Sequence, residues 1–237
     1  MNKSILTLKF YLLPLLMLLA AFSVFSQQEE YSKNDWDNKL YLSNKVSWGT
    51  ERWVYSGEIQ VRLEDNMQSL DNWYIEGVAS YLLSKKIEFV PDLRLIVKPN
   101  ETIIRPGFGI FYKLYSKKIQ YVNQVKWQID IDNPDGNSDN ALRYVLYINY
   151  KLNEKLVGNF LAGALYRWTD DFSDFELIRT GPGLTYIIND RHSFSFNYFL
   201  SIDNNHIDWE WSGIPSIQLK INIDKDYKFL PAKYFSF

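Results

Sequence analysis

Residues 103–131 read IIRPGFGIFYKLYSKKIQYVNQVKWQIDI, which predicts two long strands joined by a tight turn at residues 116–118. In each strand the apolar side chains share one parity and mostly polar side chains occupy the other, with Asn123 the one polar interruption. Because side chains alternate across a strand, each strand has one apolar face and one largely polar face. We interpret this hairpin as the repeating unit of the chain.

The hairpin pattern recurs from Trp36 onward and predicts twelve strands. They cover residues 38–48, 52–65, 73–84, 87–98, 103–115, 119–131, 141–152, 156–168, 175–188, 192–203, 213–224 and 227–237. Most of them match the roughly 9–11 residues with which a tilted strand crosses a bilayer. The predicted fold is all-β, a transmembrane antiparallel up-and-down β-barrel of about 12 strands.

Alternation alone does not identify a membrane protein, because a soluble sheet with one solvated face shows the same period. The eight tryptophans favour the membrane, since they share the apolar parity of their strands and most lie near a strand end. Aromatic girdles at both interfaces are typical of bilayer barrels. The predicted interface residues are Trp36, Trp53, Trp73, Trp127, Trp168, Trp209 and Trp211, and a second set beside the tight turns is Tyr81, Tyr112, Tyr121, Tyr150 and Tyr186.

The N-terminal segment predicts export. Residues 1–26 combine the basic Lys3 and Lys9 with an apolar run and read as a cleaved signal peptide. Residues 27–35 form a polar periplasmic lead, and residues 36–237 form a single β-barrel domain. The expected location is the outer membrane of a Gram-negative cell.

The predicted turns give the two rims of the barrel different chemistry. Four short turns, three of them containing lysine, each follow a Tyr-x-Leu or Tyr-x-Ile stretch. They lie at residues 84–86, 116–118, 153–155 and 189–191. The other connections are longer and acidic, as in residues 132–139 and 169–174. In known barrels the short turns face the periplasm, but an even count of twelve strands would place these turns outside. Either residues 227–237 are not a strand, or the outer turns are unusually short.

The C-terminus carries a further signal. The chain ends in Tyr234, Phe235, Ser236 and Phe237, and a terminal Phe with an aromatic residue two positions earlier resembles the C-terminal signal of outer-membrane barrels. Together with the signal peptide and the repeated hairpins, the mature chain resembles an uncharacterised outer-membrane β-barrel family, a domain of unknown function. The resemblance implies assembly by the barrel machinery through Phe235 and Phe237, and it brings no catalytic residues.

The polar parity supplies candidate lumen residues. They are Arg62, Glu64, Arg94, Arg105, Lys126, Arg143, Arg167 and Arg179. Five arginines fall at similar depth and predict a partial ring, which would select small anions if the barrel conducts. They are Arg62, Arg94, Arg105, Arg143 and Arg167. The alternative is a closed structural barrel, in which carboxylates of the same parity pair with the arginines. Those carboxylates are Glu64, Glu76, Asp92, Asp130 and Asp203.

Other chemistry has weaker support. His192 and Ser193 are consecutive and would point to opposite faces, whereas His206 lies in an acidic loop where an Asp–His pair could activate water. A lipid-modifying or proteolytic barrel enzyme and a soluble periplasmic ligand-binding barrel therefore stay as alternatives. We expect no cofactor and no metal site, because the acidic loops lack the spacing of a calcium loop.

The predicted partners follow from location and charge. Removing residues 1–26 removes two lysines and takes the net charge from −2 to −4, with the basic residues dispersed. Nucleic acid is therefore not an expected partner. We expect a monomer that contacts outer-membrane lipid and lipopolysaccharide.

Overall fold

The computed structural model describes residues 36–132, 138–169, 172–204, 209–223 and 226–235, and nearly all of them lie in strands. The strands are β1 (Trp36–Asn38), β2 (Leu40–Glu51), β3 (Trp53–Glu64), β4 (Ser69–Tyr81), β5 (Ile87–Val97), β6 (Thr102–Tyr115), β7 (Ile119–Asp132), β8 (Ser138–Lys151), β9 (Leu156–Trp168), β10 (Ser173–Ile187), β11 (His192–Asn204), β12 (Trp209–Asn222) and β13 (Asp226–Tyr227). Within these ranges no helix is long and apolar enough to cross a membrane. The predicted all-β class is confirmed.

Eleven of these strands close into a barrel. From β2 to β12 each strand pairs antiparallel with the next, and β12 then pairs with β2 to complete the ring. The closing pair is parallel, running from Ser216 opposite Tyr41 to Asn222 opposite Ser47. An up-and-down ring with an odd number of strands has its first and last strands pointing the same way, so the seam has to be parallel. β1 extends this pairing with the same offset, since Trp36 lies opposite Trp211.

The predicted twelfth strand, residues 227–237, is wrong. The short strand β13 adds two residues to the end of β2, and the Lys228 amide then donates to the Glu51 carbonyl. Beyond that point the chain turns into the barrel and makes no further strand up to Phe235, the last residue described. Pro231 has no amide hydrogen to give to a ladder, and the aromatic side chains that follow gain burial in the interior. This outcome is the first of the two alternatives that the turn lengths left open.

The barrel has an apolar outside and a largely polar inside, as the alternation predicts. On β8, Leu142 and Tyr144 are exposed on the outer surface, whereas Arg143 and Val145 are buried inside. The same alternation holds for the other long strands, which are 11 to 15 residues in length. The register of the strands therefore follows the hydrophobic pattern of the sequence.

The connections at the two rims differ less in length than the sequence predicts. One to five residues separate consecutive strands at one rim and four or five at the other, because the strands extend into the predicted longer connections and shorten them to residues 133–137 and 169–172. The rims keep names that follow the predicted turns. At the rim that we call the short-turn rim, tight connections join β2 to β3, β4 to β5, β6 to β7, β8 to β9 and β10 to β11. At the opposite rim, the long-loop rim, the other strand pairs are joined. The tryptophans near the long-loop rim are Trp36, Trp73, Trp127, Trp168, Trp209 and Trp211, and Trp48 and Trp53 lie near the short-turn rim with most of the tyrosines. Aromatic side chains therefore form a band near each end of the strands.

Candidate functional site: the barrel lumen

The inner face carries a row of charges that crosses neighbouring strands. In order around the wall, each residue directly opposite the next, the row contains Lys220, Lys45, Glu58, Glu76, Arg94 and Arg105. The signs come in doublets, two cations, two anions and two cations. Because barrel strands tilt, this direct row climbs from near the short-turn rim at Lys220 to near the long-loop rim at Arg105.

Ion pairs form where the sign of the row changes. Lys45 Nζ lies 3.3 Å from Glu58 Oε2, with both side chains buried. Arg94 Nη2 lies 2.8 Å from Glu76 Oε1, and Arg94 is 3% exposed. At the end of the row near the long-loop rim, Arg105 pairs with the Asp130 carboxylate on β7, which is described below. An ion pair therefore forms at each of the two positions where the charge changes sign along the row.

A second pair fills the middle of the lumen. Lys126 Nζ lies 2.6 Å from Asp92 Oδ1 and 3.8 Å from Glu76 Oε1, and Lys126 is 2% exposed. Gly107 makes this arrangement fit, because a Cβ at Gly107 would lie 2.7 Å from Asp92 Oδ1 and would also overlap the Lys126 side chain. Arg143 lies directly opposite Lys126 on the next strand and is buried with it.

Near the long-loop rim, one carboxylate joins two of the predicted arginines. Asp130 pairs with Arg105, whose Nη2 donates to Oδ2 at 2.6 Å, and with Arg167, whose Nη1 donates to the same oxygen at 2.9 Å. Arg167 also donates from Nε to Glu176 Oε2 at 2.7 Å. The arginines at this height are therefore interleaved with carboxylates.

The other three predicted lumen residues lie on the same side of the lumen as the seam. Arg62 donates to Gln60 and lies over the Tyr41 ring, 4.5 Å from its centroid. Arg179 is buried and donates to Ser201 Oγ at 3.3 Å. Glu64 is half-buried at the end of β3, close to the long-loop rim. Of the predicted carboxylates, Asp203 pairs with Lys39 at 3.0 Å.

The short-turn half of the lumen is occupied by the chain itself. We call residues 228–235 the C-terminal tail. Its apolar side chains pack in a buried cluster with inward-facing wall residues. The cluster contains Tyr41, Val78, Val90, Phe111, Val122, Val145, Tyr147, Leu161, Phe199, Ile214, Ala232 and Phe235, with Leu177 and Tyr234 packed against it. The lumen therefore has a hydrophobic core in addition to its charges.

Wall side chains bind the backbone of the tail. Lys113 Nζ donates to the Leu230 carbonyl at 2.8 Å and pairs with Glu88, which accepts the Ala232 amide at 2.9 Å. On β8, the Tyr147 hydroxyl donates to the Phe235 carbonyl at 3.0 Å.

Further contacts hold the Lys233 and Tyr234 segment of the tail. Asn149 Nδ2 donates to the Lys233 carbonyl at 3.1 Å. The centroids of the Tyr234 and Phe111 rings lie 4.9 Å apart with the rings tilted, and Lys45 Nζ lies 4.2 Å from the centroid of the Tyr234 ring. Side chains from β2, β5, β6 and β8 thus contribute to holding the tail.

Between the tail and the short-turn rim lies a cavity of about 600 Å³, which we call the vestibule. Its wall includes hydroxyl and amide groups and several lysines, and its floor is the tail from Leu230 to Phe235. A void of about 10 Å³ beside Arg94 and Lys126 lies deeper in the lumen, too small for a solute.

Neither the inward-folded tail nor the apolar core of the lumen was predicted from the sequence. Phe111, Val122 and Val145 lie on the polar parity of their strands, and all three are buried inside the barrel. Apolar residues on the inward parity of several neighbouring strands were a usable signal for a packed interior. Phe235 lies in this core, whereas Phe237 lies outside the described residues.

Of the two histidines considered for other chemistry, only His192 lies among the described residues. His192 Nδ1 lies 3.0 Å from Asn189 Oδ1 in the adjacent turn, and the chain position of His206 lies outside the described residues. In the described ranges no cluster of three or more histidine and acidic side chains is arranged to hold a metal ion.

Comparison with known proteins gives little beyond the fold. No protein-family model matches the chain, and no curated protein matches it. Among solved structures that match, one is described as a NanC porin in a rhombohedral crystal form. Its sequence identity to this chain is 14%, the TM-score is 0.49, and the alignment covers 69% of this chain and 86% of the other.

Proposed function

We propose that the protein is a non-enzymatic outer-membrane β-barrel whose lumen is closed at rest. The observation that carries the proposal is the inversion of polarity, with exposed Leu, Ile, Val and Phe side chains outside and ion pairs inside. Soluble monomers rarely expose contiguous apolar patches larger than a few hundred Å². A barrel whose outward residues form an apolar band between aromatic girdles is typical of a bilayer protein. The signal peptide and a Gram-negative outer membrane are part of the same proposal.

An arginine placed on the outer surface tests the membrane location. Leu93 lies near the middle of β5 and is 55% exposed, so Leu93→Arg should cost about 2–4 kcal/mol of folding free energy in lipid vesicles. The matched control is Asn100→Arg in the connection between β5 and β6, where the cost should be at most about 1 kcal/mol. Equal costs for the two variants, or release of the wild-type protein by carbonate without detergent, would overturn the membrane location.

Two layers support the closed state. The wall's own ion pairs fill the long-loop half, and the C-terminal tail crosses the lumen beneath the vestibule. A ring of eleven strands is also much narrower than a porin of 16–18 strands. In planar bilayers we expect well-folded protein to show no steady conductance. Ohmic current from the unmodified chain would contradict the closed state.

A narrow anion channel is the second candidate. The vestibule favours it, because a cavity of about 600 Å³ already enters the short-turn half of the lumen. In this case the current would prefer anions, and replacing Arg94, Arg105 and Arg143 with Gln would reduce that preference. A cation-selective reversal potential would exclude this candidate.

We also propose that the C-terminal aromatics serve recognition by the barrel assembly machinery. Deleting Phe237 alone leaves every described contact of the tail in place. The variant should therefore show a smaller heat-modifiable fraction in the outer membrane with unchanged stability once folded. Normal assembly without Phe237 would show that the ending has no such role.

A further inference from the structure

Among the residues that the structure describes, the charge row ends on a cation with no carboxylate in ion-pair contact with its amino group. An ion pair forms at each position where the charge changes sign along the row. Lys220 is the last residue of the row, and its strand neighbours are Lys45 on β2 and Ser193 on β11. In the described part of the chain, Lys220 makes no ion pair within 4.0 Å, whereas Lys45 pairs with Glu58. Like charges directly opposite each other on neighbouring strands are destabilising.

Lys220 borders the vestibule, beside a set of polar groups that are already ordered. Asn159 Nδ2 donates to Thr185 Oγ1 at 2.8 Å, and that hydroxyl lies 2.8 Å from Ser195 Oγ. Lys151 also lines the cavity. A volume of about 600 Å³ is within the range of small-molecule sites.

The carboxylates that line the vestibule leave this cation unneutralised. Glu88 is held by Lys113 and by the Ala232 amide. Glu154 and Asp190 lie in exposed turns at the mouth, where water and salt screen their charges. The interior of the cavity is therefore positive, with hydroxyl and amide groups around the cation.

We infer that the vestibule binds a small oxyanion, a phosphate or carboxylate group, through Lys220. The ammonium supplies a point charge of the kind that binds phosphate, and the Thr185 and Ser195 hydroxyls supply hydrogen bonds. The bound anion also relieves the repulsion between Lys220 and Lys45. The site requires the barrel fold described above, and it requires neither conduction nor a membrane location.

The test uses the full chain folded in a nonionic detergent that contains no phospholipid. Titration with inorganic phosphate, followed by calorimetry and by ³¹P NMR, should show saturable binding to one site. Lys220→Gln should weaken it by at least about tenfold, while Lys220→Arg retains it. The matched control is Lys98→Gln, which removes an exposed lysine at the opposite rim and should change nothing. Heat-modifiability checks that each variant is folded.

A second titration separates the two sources of the phosphate group. It uses a short-chain phosphatidic acid below its micelle concentration. Binding of phosphatidic acid alone, lost in Lys220→Gln, would assign the site to a lipid headgroup, and binding of both probes would assign it to a free solute. Absence of saturable binding by either probe, or equal weakening in Lys220→Gln and Lys98→Gln, would overturn the inference.

Discussion

The two halves of the lumen are closed in different ways. In the long-loop half, wall side chains neutralise one another across neighbouring strands, as Arg94 and Glu76 do. In the short-turn half, a separate segment enters the barrel, and wall side chains such as Lys113 and Tyr147 bind its carbonyl groups. The first kind of closure is part of the fold and cannot be removed without breaking the wall. We expect that the second kind can be withdrawn while the wall stays intact, because the tail is not part of the strand ladder.

The largest expected effect comes from breaking a buried pair in the long-loop half. Glu76→Gln leaves Arg94 buried without its carboxylate and removes a second contact of Lys126. Loss of one partner of a buried pair costs about 3–5 kcal/mol, measured here as the free energy of unfolding by urea in lipid vesicles. Glu101→Gln is the matched control, because its pair with Lys98 is exposed and contributes about 0–1 kcal/mol. Similar costs for the two variants would show that the lumen is wet at Glu76.

Withdrawal of the tail should expose one half of the lumen and leave the other closed. The chain contains no cysteine, so Val145→Cys and Ala141→Cys each provide a single thiol on the inner face of β8. Deleting residues 229–237 should raise the labelling rate of Val145→Cys by about 100-fold, since buried groups react only through local opening. Ala141→Cys, nearer the long-loop rim, should stay protected. Labelling of both would mean that the tail supports the whole interior.

Crowding at Gly107 offers a smaller test of the long-loop half. Gly107→Ala places a methyl group against Asp92 and Lys126 and should cost about 1–3 kcal/mol of unfolding free energy. Gly57→Ala is the control, because a Cβ there meets no atom within 4 Å. That variant should be neutral or slightly stabilising, by about 0.4–1 kcal/mol. A neutral Gly107→Ala would mean that the pair of Lys126 with Asp92 has room to move.

The smallest effect is expected from one hydrogen bond to the tail. Tyr147→Phe removes the donor to the Phe235 carbonyl but keeps the ring beside Tyr234. A net loss of about 1 kcal/mol should raise the labelling rate of Val145→Cys about fivefold. An unchanged rate would indicate that apolar packing alone holds the tail.

The sequence predicts which side chains of the barrel wall face inward better than it predicts the contacts inside the lumen. Alternation assigns residues such as Leu93 and Arg94 to opposite faces, because that assignment depends only on neighbours within one strand. The pairing of Lys126 with Asp92, 34 residues apart, depends on the stagger of three strands, which no local pattern contains. The burial of the tail was not predicted for the same reason, because the strands that bury its aromatic residues are distant in sequence.

The odd number of strands has a consequence for protein engineering. Trp36 and Asn222 lie at opposite rims, because the strands that carry them run in the same direction. The 14 residues of β12 alone extend about 45 Å at roughly 3.3 Å per residue. A short linker joining the two ends of the barrel would have to pass through the lumen or along the apolar outer face. This barrel is therefore a poor candidate for circular permutation, which works in domains whose ends lie close together.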